Sequence, residues 1–326
     1  MINPKSKIRL GKFGEEKLLG GYSRQQTSGT QTDTANFPQN LKSPHGLFVG
    51  LVTLDLVYLA EYAPQNNQKI VASDYIVCAG GPATNAAVTF SHLGSQATLL
   101  GIVGADPITQ LIRTDLETCK VAIADLAPRQ AQPPPISSII VSRTGERAVI
   151  SINAVKHQVE PDQIPADILQ SVDIVLIDGH QMAVGEAIAR LAKANNIPVV
   201  IDGGSWKPGF EKVLPFVDYA ICSANFYPPN CHSIDEVFAY FSHFGIPYIA
   251  ITQGEKPIQF LCEGKSDTLE VPQINSVDTL GAGDIFHGAF CYYILKNNFT
   301  NALAKSANIA SYACQSFGTR SWMQTQ

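Results

Sequence analysis

The chemistry of this chain is concentrated where small residues run into an acid. In Ser276-Val277-Asp278-Thr279-Leu280-Gly281-Ala282-Gly283-Asp284-Ile285-Phe286-His287-Gly288-Ala289-Phe290, a polar extended piece narrows to Gly-Ala-Gly and then turns apolar. Ile285, Phe286, Ala289, Phe290, Tyr293 and Ile294 recur at steps of three and four, which predicts a helix. Glycines 281 and 283 leave backbone N–H groups uncovered where that helix begins. Unpaired donors and the positive end of the helix dipole attract an anion there. Asp284 stands in the same mouth. A carboxylate beside an anion hole supplies what phosphoryl transfer to an alcohol needs: a base for the hydroxyl proton and donors for the developing charge. Taken alone, Gly-x-Gly-Asp is more often a turn followed by an ordinary helix N-terminal acid.

A second constellation lies about 200 residues upstream, in Cys78-Ala79-Gly80-Gly81-Pro82-Ala83-Thr84-Asn85-Ala86-Ala87. Pro82 suits the first turn of a helix, and paired glycines let a ligand approach the backbone. Asn85, one turn in, can aim its amide at that ligand. Before it, Gly46–Val52 is an apolar run fit for a buried strand, expected to continue through Thr53-Leu54-Asp55 and so to carry a charge at its end.

The elements that must position these groups follow from periodicity. Segments 136–142 and 147–152 flank Arg143-Thr144-Gly145-Glu146, a hairpin signal, with Arg143, Arg147 and Lys156 placed to face a ligand or solvent. Strands are expected at 173–178, 197–202, 217–222 and 246–252, with helices near 162–171, 183–195 and 233–244 between them. That alternation predicts a parallel, doubly wound α/β sheet. Its strands end in Asp178-Gly179-His180, Asp202-Gly203-Gly204, Ser223-Ala224-Asn225 and Thr252-Gln253-Gly254. Ligands bind at the carboxyl ends of such strands, so these residues are expected to line one crevice. A last helix is expected near 300–317.

Composition bounds the rest. The 326 residues are 45% apolar, enough for one large core, and the formal charge of −5 argues against nucleic-acid binding as the main function. No apolar run is long enough to span a bilayer. Seven dispersed cysteines without a Cys-x-x-Cys pair read as reduced, mostly buried thiols, with a cytoplasmic setting expected. Residues 1–44 hold seven Lys/Arg (5, 7, 9, 12, 17, 24, 42) against three acids (15, 16, 33) and lack periodicity. They are expected to be a disordered or mis-started extension.

The run Asp278–Asp284 resembles the C-terminal signature of the ribokinase-like (PfkB-type) carbohydrate kinases. Gly80–Asn85, followed by His92-Leu93-Gly94 and Gly101-Ile102-Val103-Gly104-Ala105-Asp106, resembles their N-terminal signature. The resemblance covers roughly residues 46–318, leaving 319–326 as a tail. It implies a Rossmann-like, mostly parallel sheet with helices on both faces and a small β lid from about 57–76 and 133–153. It further implies ATP as donor with Mg²⁺, a monovalent cation being an option. Asp284 matches the catalytic base, and Gly281, Ala282 and Gly283 the anion hole. Asp55, Gly80, Gly81 and Asn85 match sugar contacts, with Arg147 of the lid beside them. Asn225, Thr252 and Gly254 match the nucleotide region, and Asn308 falls on the helix that covers adenine. A homodimer through the lid is a further expectation.

Two departures stand out. The family's Asn-x-x-Glu, tied to Mg²⁺ and phosphate, reads Asn225-Phe226-Tyr227-Pro228, and Pro257 replaces a glycine of the nucleotide loop. Ketohexokinases also lack a clean Asn-x-x-Glu and look similar over Gly50–Asp55 and Asp278–Gly281. Sulfofructose kinases are similar over Gly80–Ala83, Thr144–Arg147, Thr252–Gly254 and Ile285–Gly288. A ketose or ketose derivative is therefore the expected acceptor. A nucleoside kinase of the same fold, or a silent sugar- or nucleotide-binding protein, are the alternatives.

Overall fold

In Leu47-Phe48-Val49, Phe48 faces one layer of the protein while Leu47 and Val49 face the other, the period of two expected of a strand buried on both sides. The computed structural model describes residues 43–152 and 158–324. Strand β1 (His45–Val49) lies inside a nine-stranded sheet. The sheet also holds β4 (Gln96–Gly101), β5 (Val121–Asp125), β8 (Ile174–Ile177), β9 (Val199–Gly203), β10 (Tyr219–Ser223), β11 (Tyr248–Gln253), β12 (Lys256–Cys262) and β13 (Lys265–Leu269), in the order β13-β12-β11-β10-β9-β8-β1-β4-β5. From β11 to β5 every neighbouring pair is parallel; β12 and β13 are antiparallel additions at one edge.

Helices cover both faces. On one, α1 (Pro82–His92), α2 (Thr109–Thr118), α6 (Ala282–Ile294) and α7 (Phe299–Ala313) pack on Phe48, Leu99, Leu176 and Ile221. On the other, α3 (Met182–Ala194), the single turn α4 (Phe210–Val213) and α5 (Ile234–His243) pack on Leu47, Val175, Ile201 and Ile249. The α/β doubly wound architecture expected from the alternation is therefore present. The expected helix near 162–171 is not: Pro161–Gln163 form a 3₁₀ turn, and the residues after it are turns. Pro165 and Asp167 sit in that stretch, and the chain reverses through Ser171 at a φ of 61° instead of propagating.

The strand expected over 46–55 is two strands. Gly50 sits against Asp178, where a Cβ would overlap the carboxylate, and the Leu51 N–H donates to Asp178 Oδ2 at 2.9 Å instead of to a neighbouring strand. The chain leaves the large sheet there and enters a second one of four strands, ordered β3-β2-β6-β7. Its members are β2 (Thr53–Ala60), β3 (Asp74–Gly80), β6 (Ile136–Ser142) and β7 (Arg147–Ser151). Asp55 thus belongs to this smaller sheet, opposite Cys78. Val57, Ile139 and Val141 form its small core with Leu280 and Phe317. The hairpin expected around Thr144-Gly145 is β6–β7, closed by the Gly145 N–H on the Ser142 carbonyl at 2.9 Å.

The residues after Gly318 that the structure describes are not a tail. Trp322 is 1% exposed, Thr319 4% and Arg320 9%, so these three side chains are part of the core, while Gln324 is exposed. Lys156 and residues 1–42 lie outside the described residues. All seven cysteines are unpaired, and Cys78, Cys222, Cys231, Cys291 and Cys314 are buried. Among the described residues no helix is long and apolar enough to cross a membrane.

Candidate active site

Helix α6 begins at Gly281, whose φ of 70° is left-handed and whose missing Cβ would press on the Thr319 methyl at 2.6 Å. The Ile285 N–H closes the first turn on the Gly281 carbonyl at 2.8 Å. Of the preceding N–H groups, that of Ala282 donates to the Thr279 carbonyl at 3.3 Å, while those of Gly283 and Asp284 have no helical carbonyl to bind. At Gly283 a Cβ would meet nothing within 4 Å. Ala282 and Gly283 instead open onto a cavity of about 480 Å³. Thr252 and Gly254 at the end of β11 line it, with Ile258, Pro272, Phe286, Ala307 and Ala310. An apolar slot with a donor-rich helix start at one end suits a flat base at one side and phosphates at the other.

Asp284 occupies the third position of the helix, half-buried at the floor of the crevice. Its Oδ2 accepts from Asn85 Nδ2 at 2.8 Å. Burial, and then the charge of Asp202, push its carboxyl up, while the Asn85 bond and His287 oppose them; the result is about 7. That is the range of a base working near neutral pH. Asp202, at the end of β9, is itself pushed up by burial, and among the described residues its Oδ2 has no hydrogen-bond partner. His287 Nδ1 lies 3.4 Å from that oxygen. The two His287 ring nitrogens are at 2.7 Å from the Gly283 carbonyl and 3.0 Å from that of Ile221, which ties the first turn of α6 to β10.

The second expected group converges on the same place. Asp55 is 8% exposed and accepts from Thr53 Oγ1 at 2.7 Å; burial raises its pKa against that bond and the Ser137 hydroxyl. A Cβ at Gly80 would overlap the Asp55 carboxylate, so the glycine makes room for the acid. Gly81 precedes α1 at a φ of 102°, with the Leu51 carbonyl where a side chain would go. Below them Asp178 collects the N–H groups of Leu51, Ala83 and His180 at 2.9, 3.1 and 2.9 Å. Burial works to raise the pKa of Asp178, but the His180 charge and these bonds outweigh it and hold the carboxyl at about 2. Arg147 reaches across from β7 to the Thr279 carbonyl at 3.1 Å, which ties the small sheet to the loop before α6.

Some expected residues lie elsewhere. Asn308 is exposed and off the cavity. Ala307, Ala310, Ser311 and Cys314 form the lining face of that end of the chain, and Asn308 is rotated about 100° from Ala307. Asn225 is exposed at the end of β10, outside the cavity lining, while its neighbour Phe226 is buried between Trp206, Phe210 and Phe241. Pro257 sits at a register shift between β11 and β12, where its missing N–H is tolerated, and its carbonyl accepts from Gln253 Nε2 at 3.0 Å. Asn85 is 4% exposed and engaged at both ends of its amide, with Asp284 on one side and Arg320 on the other. Sequence reasoning missed Arg320 altogether; a lone arginine beyond the last predicted helix carries no local signal of burial.

A mostly parallel sheet with a smaller β sheet beside its carboxyl end, a buried carboxyl of raised pKa and a glycine-led helix start form an arrangement suited to a small-molecule kinase. The chain belongs to the pfkB family of carbohydrate kinases, whose description matches residues 46–326. It is a sugar kinase, a phosphotransferase with an alcohol group as acceptor. It is similar to a ribokinase of Bacillus subtilis (strain 168), at 23% identity over 85% of this chain and 95% of the other. With a ribokinase of Lactococcus lactis the identity is 25%, over 84% and 92% of the two chains. The solved structure of Arabidopsis thaliana ribokinase complexed with ribose and ATP superposes with a TM-score of 0.68, covering 87% of this chain and 98% of that one at 20% identity.

Proposed function

We propose that the protein transfers the γ-phosphoryl group of ATP to a primary hydroxyl of a small sugar, with Asp284 as general base. The observation that carries this reading is the placement of Asp284. Its carboxyl, pushed up to about 7, stands one residue past Gly283, which lines the cavity without obstruction, and is hydrogen-bonded to Asn85, four residues after the Gly80-Gly81 turn. ATP fills the 480 Å³ cavity, lined by Ala282 and Gly283, with its γ-phosphate against the helix start at Gly281, Ala282 and Gly283. The sugar lies between Asp55, the Gly80-Gly81 turn and Arg147. Mg²⁺ accompanies the nucleotide: among the described residues no cluster of three acidic, His or Cys side chains could hold a metal by itself. That fits an ion carried largely by phosphate oxygens and water, where it would neutralise charge on the transferring group.

For the acceptor we propose a ketose or ketose derivative, on the Gly50–Asp55 and Gly80–Ala83 resemblances. Ribose is the competing acceptor, favoured by the ribokinase names of the relatives. The small sheet leaves Tyr75, Val149 and Ile150 at 67%, 50% and 76% exposure, and we propose a second copy as what covers them. Sedimentation showing a monomer at micromolar concentration would remove that part.

The test is ADP release with Mg-ATP against fructose, sulfofructose, ribose, deoxyribose, fructose phosphates and nucleosides, with Asp284→Asn as control. Turnover on a ketose, lost in the variant, supports the whole reading. Preference for ribose replaces the acceptor and leaves the mechanism. A nucleoside outcompeting every sugar, or sugar binding without ADP in the folded protein, overturns it.

A further inference from the structure

Arg320 is a charge that folding has taken almost out of water. It is 9% exposed and belongs to neither sheet nor any helix described above. Its guanidinium donates through Nη1 to Asn85 Oδ1 at 2.9 Å and to Thr319 Oγ1 at 2.9 Å. Through Nη2 it donates to the Ala79 carbonyl at 2.7 Å and to Asp115 Oδ2 at 3.2 Å. Asp115 in turn accepts the Ala79 N–H at 3.0 Å. One fork therefore joins α2, the end of β3, and α1.

We propose that Arg320 is a positioning residue for the catalytic base: it holds the Asn85 amide in the one orientation that presents Nδ2 to Asp284. The argument is one of donors and acceptors. A guanidinium can only donate, so it accepts Asn85 facing it only by the carbonyl oxygen. The amide is planar, and fixing Oδ1 on Arg320 turns Nδ2 toward Asp284 Oδ2, 2.8 Å away. A flipped amide would set N–H against N–H at Arg320 and leave two oxygens facing each other at Asp284. An Asn85 freed from Arg320 can rotate, and the carboxylate then loses its donor. The inference rests on Asp284 being the base.

The consequence is electrostatic as well as geometric. A donor to the carboxylate favours its charged form and so lowers its pKa. Asp284 is otherwise faced by Asp202 from β9 and Asp178 just after β8, which raise it, and by His287 from its own helix, which lowers it. Removing the Asn85 donor leaves the two acids less opposed. The acid limb of kcat/KM then moves to higher pH.

Three substitutions test this, each checked for folding by its melting temperature. Arg320→Lys and Arg320→Gln lose the planar fork; Asp115→Asn loses the ion pair but leaves the fork on Asn85. In the Arg320 variants kcat is expected to fall roughly 10–100-fold. Their acid limb is expected to rise by about half a pH unit or more, with KM for ATP unchanged. Asp115→Asn is expected to lower the melting temperature and leave the limb in place. A folded Arg320 variant with an unmoved limb overturns the proposal, as does a limb that moves equally in Asp115→Asn. So does failure of both Arg320 variants to fold, because Arg320 then serves the fold alone. Asp284→Asn in the same series separates the two readings: if it retains turnover, Asp284 is not the base; if it loses turnover while the limb is unmoved, only the role of Arg320 falls.

Discussion

Gly288 of α6 lies so close to Ala86 of α1 that a Cβ on it would overlap the Ala86 carbonyl oxygen and sit 2.7 Å from Thr89 Cβ. This approach lets Asn85 on one helix reach Asp284 on the other, 199 positions away in the chain. Backbone is the obstacle, so it cannot swing aside. Gly288→Ala is expected to cost about 1–3 kcal/mol by overpacking. It should also lower kcat by separating the two helices. Urea unfolding and steady-state kinetics of the same preparation check both. Unchanged stability would mean that the helices part without penalty.

The pH dependence of activity follows from the carboxyl of Asp284 at about 7. A general base works deprotonated, so kcat/KM is expected to climb tenfold per unit below that value and to level above it. The free-enzyme profile is the relevant one, because kcat/KM reports the unliganded groups. A profile flat from pH 5.5 to 8 would be incompatible with this site.

Replacing the proposed base is the most direct chemical test. Asp284→Asn keeps the size and the contact with Asn85 but cannot take a proton. Turnover is expected to fall by about 10²–10⁴ while ATP affinity and the melting temperature are retained. Coupled ADP release and calorimetry measure the two separately.

Asp178 ties the crossover into the small sheet to the start of α1 through the N–H groups of Leu51 and Ala83. Its folded pKa of about 2 lies below the ordinary 3.8, so its contribution to stability is present above about pH 4 and is lost as pH falls toward 2. Asp178→Asn puts an N–H where two backbone donors converge and should cost about 1–3 kcal/mol near neutral pH. Melting temperatures of both proteins between pH 2 and 7 are expected to approach each other at the acid end. A constant gap would assign the stabilisation to packing instead.

What was legible in the sequence is what neighbours along the chain decide. The start of α6, its glycines and its acid lie within a few residues, and a helix start leaves unpaired N–H donors wherever it is placed. The alternation from 173 to 253 was equally readable, because buried strands and amphipathic helices carry their own periods. The strand break at Gly50 was not: a ten-residue stretch that opens on an apolar run fits one strand or two. The break comes from Asp178, which takes the Leu51 N–H from 127 positions away. The face of Asn308 depends on how α7 is rotated against β12 and α6, which its own residues leave open. Arg320 is buried only because Asp115, Ala79 and Asn85 meet it from three separate elements. By itself the sequence determined a glycine-led helix start with an acid in it and the sheet that must carry them, since each is encoded over a turn or a strand. Only the tertiary structure decided which polar groups surround that base, because a buried charge finds its partners through contacts that no local pattern records.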